Sequence, residues 1–250
     1  MDKIKFTIDG HEVFARPGQT ILEAALEAGI YIPHICSHDN LHPSGSCRLC
    51  AVEIEGRDGV AASCTTKAQA GMKVTIHGPK AEKVRRLSLE LMFTPHPEEC
   101  VGCPKYLKCQ LQALSQYVGV SGSGVRHRTN NVASDARNKL MLHEMYRCVL
   151  CGRCVRVCEE VRGVGALTFK KVNGQLRVVI NGDTLEDAGC RLCGACVEVC
   201  PTGSIRDQVG VFDLEKPRQE ALVPCAARCP ANIEVLLRLL SVKKHRCLKY

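Results

Sequence analysis

The sequence predicts an α+β chain built from several small modules, on three observations. Its 250 residues carry 18 cysteines, a density at which metal-nucleated modules need little hydrophobic core of their own. Residues 1–78 read as β-rich, opening on strict apolar and polar alternation from Lys3 to Ile8, and from Pro79 the apolar spacing turns helical. One cysteine phrase is also written twice, as Cys148-x2-Cys151-x2-Cys154-x3-Cys158 and as Cys190-x2-Cys193-x2-Cys196-x3-Cys200-Pro201.

In chain order, Ile4, Phe6 and Ile8 alternate with Lys3, Lys5 and Thr7, and Asp9-Gly10 supplies a two-residue hairpin turn into a second strand through Val13. Thr20 and Glu23 form a capping box ahead of a short helix bearing Ile21, Ala24, Ala25 and Ala28, which stops near Gly29. Strands are expected again at Val52 to Ile54 and Val74 to Ile76. This order of elements is that of a β-grasp domain of the ferredoxin type. After Pro79, Val84, Leu87 and Leu91 stand at helical spacing and Pro95 ends the run; a second helix carries Leu107, Leu111, Leu114 and Val118. Gly119 to Gly124 reads as a structural loop, because its glycines follow no strand. Asn173-Gly174 then turns a hairpin of Thr168 to Val172 and Leu176 to Ile180 between the two repeats.

The doubled phrase has the spacing that wraps two 4Fe-4S cubanes, three cysteines binding one cluster while the fourth crosses to the other. Cys148, Cys151, Cys154 and Cys200 are therefore assigned to one cluster, and Cys190, Cys193, Cys196 and Cys158 to its neighbour. Cys36-x10-Cys47-x2-Cys50-x13-Cys64 sits where a β-grasp domain would carry a 2Fe-2S loop, with Ser44-Gly45-Ser46 turning into Cys47. A structural zinc is the competing reading of those four residues. His96-x3-Cys100-x2-Cys103-x5-Cys109 offers one imidazole and three thiolates directly after a helix, a set suited to a further 4Fe-4S cluster or to a zinc ion. A neutral imidazole in place of a thiolate makes such a site less negative, which raises its potential. One 2Fe-2S cluster and three 4Fe-4S clusters are thus expected, and no flavin or NAD(P) site, since no G-x-G-x-x-G opens a dinucleotide fold.

Composition narrows the alternatives. A disulfide scaffold fits poorly, because Met1-Asp2-Lys3 does not begin a basic-then-apolar leader and the chain is long for a stapled secreted domain. A reducing, cytoplasmic setting is expected. No apolar run reaches the roughly 18 residues of a membrane span. The formal charge of +8 treats cysteine as neutral, and much of that excess offsets thiolates once they bind metal. With aromatics at 4% there are few platforms for stacking bases, so a nucleic-acid partner is not expected.

The order of these motifs, with Ile35-Cys36, Ser46-Cys47-Arg48-Leu49-Cys50, Cys148-Val149-Leu150-Cys151-Gly152-Arg153-Cys154 and Cys200-Pro201-Thr202-Gly203, resembles the N-terminal iron-sulfur region of the complex I large iron-sulfur subunit and of iron-only hydrogenases. The resemblance covers about residues 1–210. It implies an electron wire with four domains: residues 1–78 a β-grasp 2Fe-2S domain, 79–135 a helical domain with the His-ligated cluster, 136–210 a two-cubane ferredoxin domain, and 211–250 a short helical docking segment. That last segment, with Pro224-Cys225-Ala226-Ala227-Arg228-Cys229-Pro230 and a leucine-rich helix, resembles the opening of the small chain of glutamate synthase. Cys225, Cys229 and Cys247 are candidate ligands of an extra cluster, and free thiols on a docking helix are the alternative. Lys243, Lys244, His245 and Arg246 read as a solvated helix end.

What the resemblance implies is a non-catalytic electron-transfer subunit of a multi-subunit NAD(P)-linked oxidoreductase. A hydrogenase, electron-bifurcating in one version, is the first expectation; a transhydrogenase-, formate-dehydrogenase- or complex I-type assembly is the alternative. The expected partners are a flavoprotein NAD(P)H-binding subunit, a small 2Fe-2S subunit, hydrogenase or other catalytic subunits, and ferredoxin. No hydrogenase active-site domain and no molybdopterin-type domain follows, so the catalytic site is expected elsewhere. With no G-x-G-x-x-G after the glutamate-synthase-like segment, the reading is of a truncated or split relative of a fused protein. The leading piece of a larger catalytic chain and a zinc-stabilised scaffold are the competing readings.

Overall fold

The computed structural model describes residues 3–97, 99–122, 124 and 141–207. These fall into two compact units, one of residues 3–97, 114–122, 124 and 151–153, the other of residues 99–113, 141–150 and 154–207. Cys225, Cys229, Cys247, the C-terminal segment that holds them and part of the Gly119 to Gly124 loop lie outside the described residues.

The first unit is built on a five-stranded sheet of order β2-β1-β5-β3-β4. Strands β1 (Ile4–Ile8) and β2 (His11–Ala15) pair antiparallel, Ile8 opposite His11. Asp9 and Gly10 turn between them at φ 47° and 81°, the two left-handed residues of a type I′ hairpin. Alternation sends Phe6, Ile8 and Val13 into the core, each at most 1% exposed. Helix α1 (Ile21–Glu27) opens on a complete capping box: Glu23 N–H donates to Thr20 Oγ1 at 3.2 Å and Thr20 N–H to Glu23 Oε2 at 2.8 Å. Its Ile21, Leu22, Ala24 and Ala25 close the core over the sheet.

Strands β3 (Ala51–Ile54), β4 (Ala61–Ala62) and β5 (Lys73–Thr75) complete the sheet. β5 lies parallel to β1 and antiparallel to β3. The two-residue β4 is too short to leave a periodic signal in the sequence.

Helix α2 (Pro79–Phe93) starts with Pro at its first turn. Its inward face differs from the sequence expectation. Leu87 and Leu91 are 49% and 53% exposed, and the buried residues are Ala81, Arg85, Leu89 and Phe93. Arg85 can turn inward because its guanidinium finds backbone carbonyls there, donating to Leu49 O at 3.1 Å, Ala51 O at 3.0 Å and Ile76 O at 3.2 Å. Helix α3 (Gln110–Val118) begins later than expected, since Leu107 stands outside it at φ 61°.

In the second unit, β6 (Met141–His143) pairs antiparallel with β9 (Ile205–Asp207), a long-range closure invisible to local patterning. Helix α4 (Arg153–Arg156) runs into a π-helical turn, Val157–Val161. The hairpin β7 (Leu167–Val172) and β8 (Gln175–Ile180) turns at Asn173 and Gly174, φ 50° and 77°. A short α5 (Ala195–Glu198) follows Gly194. Leu167, Val178, Ile205 and Met145 pack with Cys154 in this unit's core. No helix among the described residues is long and apolar enough to cross a membrane.

Candidate metal centres

The first unit gathers Cys36, Cys47, Cys50 and Cys64, all buried. Register explains half of this. Ala51 pairs with Ala62, and Ser63 N–H donates to Cys50 O at 3.0 Å, so the residues flanking the β3–β4 pair bring the Cys50 and Cys64 sulfurs to 3.3 Å. That separation is far beyond the roughly 2.05 Å of a disulfide. Cys47 reaches the same place through the turn at Ser44-Gly45-Ser46, where Gly45 holds φ 62° and a Cβ would meet Thr65 Cγ2 at 3.3 Å.

The thiols share hydrogen bonds, which shift their proton affinities in opposite directions. Hydrogen bonds from Cys47 and then Cys64 hold the Cys36 thiol far below its usual range. A bond from Cys64 draws Cys50 down to about 7. The same bonds push Cys47 and Cys64 well up. Binding a metal would displace the protons that remain, because thiolate is the ligating form. Four buried sulfurs are the donor set of a 2Fe-2S cluster. Among the described residues no three His, Cys, Asp or Glu side chains form a ready cage for one bare ion, so the donor chemistry and its convergence carry the metal assignment.

His96 lies in the first unit, just beyond α2. It is 6% exposed, packs edge-on against Phe93 at 6.1 Å, and its Nδ1 bonds to Pro97 O at 2.8 Å. A protonated Nδ1 donating to that carbonyl makes Nε2 the lone-pair nitrogen, the tautomer a metal requires. Cys100, Cys103 and Cys109 belong to the second unit, Cys103 N–H donating to Cys100 O at 2.9 Å. Arg147 Nη1 donates to Cys103 Sγ at 2.8 Å. Burial raises the thiols of Cys100 and Cys109, with the charge of Cys103 adding to each.

The doubled phrase has a doubled backbone. Leu150 and Gly152 take φ 54° and 72°, and Leu192 and Gly194, at matching positions after the leading cysteine, take φ 51° and 74°. Alternating left-handed residues turn successive amides inward, a nest for anions. Leu150 N–H reaches Cys148 Sγ at 3.4 Å, and Leu192 N–H makes the equivalent bond to Cys190. Only the local steric freedom of glycine, and tolerated strain at leucine, permits this path.

Cys158, Cys190, Cys193 and Cys196 line one cavity, walled by Met141, Val164, Leu167 and Leu185. The fourth cysteine of the first phrase thus stands with the first three of the second. Cys158 also accepts from Ala166 N–H at 3.2 Å, and Cys196 Sγ lies 3.9 Å from Met141 Sδ. Burial drives Cys196 up to about 12, assisted by Cys190, Cys158 and Cys193. Of the other set, Cys154 and Cys200 are each 8% exposed. Cys148 packs against the cluster of apolar residues that contains Cys154. Cys151 falls with residues 151–153 in the first unit.

Sequence reasoning missed two polar features of these sites, Arg85 behind the Cys50 loop and Arg147 on Cys103. Neither carries a local signal, since each depends on a partner far along the chain.

Comparison with known proteins finds iron-sulfur domains along the chain. Residues 1–78 match a 2Fe-2S iron-sulfur cluster binding domain, residues 85–123 the NADH-ubiquinone oxidoreductase-G iron-sulfur binding region, and residues 147–204 a 4Fe-4S dicluster domain. The second G subunit of the NADH-quinone oxidoreductase of Rhizobium meliloti is 38% identical over 81% of this chain and 24% of its own length. The HndD subunit of the NADP-reducing hydrogenase of Solidesulfovibrio fructosivorans is 32% identical over 86% of this chain and 38% of its own. The chain therefore spans about a quarter to two fifths of the length of these curated relatives. A chain of an NAD+-reducing [NiFe]-hydrogenase in the H2-reduced state superposes with a TM-score of 0.75 at 35% identity, covering 85% of this chain and 90% of that one. With 2Fe-2S and 4Fe-4S ferredoxin-type domains in this order, the chain belongs to the family formed by the N-terminal iron-sulfur region of the complex I large iron-sulfur subunit and of hydrogenase iron-sulfur subunits.

Proposed function

We propose that the chain conducts single electrons within a multi-subunit NAD(P)-linked oxidoreductase, a hydrogenase being the preferred assembly. The observation that carries this reading is that Cys158 lines one cavity with Cys190, Cys193 and Cys196, as expected of two 4Fe-4S clusters that exchange a ligand and so lie close enough to pass an electron. Likeness to a chain of an NAD+-reducing hydrogenase supports the choice of assembly. A complex I-type assembly is the second reading, favoured by the 38% identity to an NADH-quinone oxidoreductase chain.

In this reading Cys36, Cys47, Cys50 and Cys64 bind one 2Fe-2S cluster. His96 with Cys100, Cys103 and Cys109 binds one 4Fe-4S cluster, and the two crossed sets, Cys148, Cys151, Cys154, Cys200 and Cys190, Cys193, Cys196, Cys158, bind two more. Such clusters, when bound, pass one electron at a time, the traffic a flavin needs in order to split a hydride's pair. The residues of this chain supply the thiolates, fix the imidazole tautomer through Pro97 O, and aim amides at sulfur. The domains run 1–78, 79–135, 136–210 and 211–250, with Cys225, Cys229 and Cys247 reserved for an extra cluster or for docking. A flavoprotein NAD(P)H-binding subunit, a small 2Fe-2S subunit, a hydrogenase subunit and ferredoxin are the proposed partners, in the cytoplasm, with flavin and nucleotide held by a partner.

Iron and acid-labile sulfide on anaerobically purified protein test this directly. About 14 irons per chain are expected, with overlapping 2Fe-2S and 4Fe-4S EPR signals after dithionite. About 18 would assign a further cubane to the C-terminal cysteines. Zinc without sulfide would overturn the proposal.

A further inference from the structure

Arg85 is the largest fully buried side chain among the described residues, 2% exposed. All three of its hydrogen bonds go to backbone carbonyls, and two of them, Leu49 O and Ala51 O, belong to the residues on either side of Cys50. Among the described residues no carboxylate forms an ion pair with it. The groups that could oppose its charge are Tyr117, Glu82, Cys50 and Tyr31. Burial pushes both tyrosines up, so they stay neutral. Glu82 is half exposed and paired with His77 at 3.1 Å. Arginine does not give up its proton in proteins, even where burial pulls it down. A fixed cation therefore sits behind the Cys50 loop, and among the described residues its hydrogen bonds go to carbonyl dipoles alone.

Burying an unpaired guanidinium is costly, and a methionine or leucine would fill the same volume. As a clamp alone, the charge is a poor choice. It has a use if the group in front of it becomes more negative. Resting on the assignment of Cys36, Cys47, Cys50 and Cys64 to a 2Fe-2S cluster, we propose that Arg85 is a positioning residue whose buried charge raises the potential of that cluster by stabilising its reduced form. Reduction takes one electron from a low-potential donor, and no bond in the chain is made or broken. The added negative charge interacts favourably with the guanidinium through a medium that salt screens weakly.

The test is an EPR-monitored potentiometric titration of the 2Fe-2S signal in the full chain, native, R85K, R85M and R85Q, with iron and sulfide measured on each. The two neutral variants are expected to lose about tenfold in the reduction equilibrium, a fall of about 59 mV for one electron. R85K, which keeps the charge but not the fork, is expected to stay near the native value. An equal fall in R85K and the neutral variants would overturn the proposal in favour of the hydrogen-bonded clamp, as would unchanged potentials in all three. Cluster assembly in R85K but in neither neutral variant would support the need for charge; assembly in none would overturn it. A native protein without any 2Fe-2S signal would instead sink the cluster assignment, leaving the two failures distinguishable.

Discussion

Replacing Cys158 and Cys190 by alanine, singly and together, tests the proposed crossed ligation. Both thiols line the cavity that also holds Cys193 and Cys196, although Cys158 belongs to the first phrase and Cys190 to the second. If they serve one cubane, losing either leaves three ligands and costs that cluster, about 4 of about 14 irons. The second substitution then removes a ligand of a cluster already gone, so C158A with C190A should retain about 10 irons, the value of either single variant. C154A with C190A strikes two different clusters and should retain about 6. Iron and labile sulfide on anaerobically purified proteins provide the measurement, with circular dichroism to establish that each variant folds. Alanine is preferred to serine, whose hydroxyl can itself ligate. A C158A plus C190A protein holding only about 6 irons, against 10 in each single variant, would show that the two cysteines serve separate clusters and would refute the crossing.

Two further outcomes follow from the packing. T20A removes the acceptor of the α1 capping box and should lower stability by about 1 kcal/mol, read as a shift in the urea midpoint; no shift would show that tertiary packing alone holds α1. Glu144 is buried, which raises its carboxyl, but hydrogen bonds from Tyr146 and Arg206 outweigh burial and hold it below 4.5. Its contribution is therefore present at neutral pH and is lost as pH falls through that depressed value. E144Q should be less stable than the native chain by about 1–3 kcal/mol at pH 7, and the gap should close on acidification below pH 4.5. Urea midpoints from neutral to acid pH test this, cluster loss being common to both proteins; a gap independent of pH would refute the role given to the carboxylate.

Local chemistry was legible wherever one segment holds all of its own cause. The Asp9-Gly10 and Asn173-Gly174 turns and the Thr20 to Glu23 box form as expected because each is satisfied within four residues. The inward face of α2 was not legible. Val84, Leu87 and Leu91 make the more apolar stripe, yet the structure exposes the two leucines and buries Arg85, since the carbonyls that satisfy its guanidinium lie 9 to 36 residues away. The β6–β9 pair, with His143 opposite Ile205, is equally remote in sequence.

The sequence by itself determined the kinds of ligand and their loop spacing, because a cysteine phrase of fixed step can wrap only a few metal groups and the glycines its backbone needs are written beside it. Spacing also predicts which cysteines belong together, but tertiary structure decided how their sulfurs meet. Cys50 and Cys64 approach to 3.3 Å through strand register, and Cys158 crosses to the cavity of the second phrase. It also decided that Arg85 stands against the Cys50 loop and Arg147 against Cys103. Ligand type is a property of residues, whereas convergence and local charge are properties of distances that only the folded chain fixes.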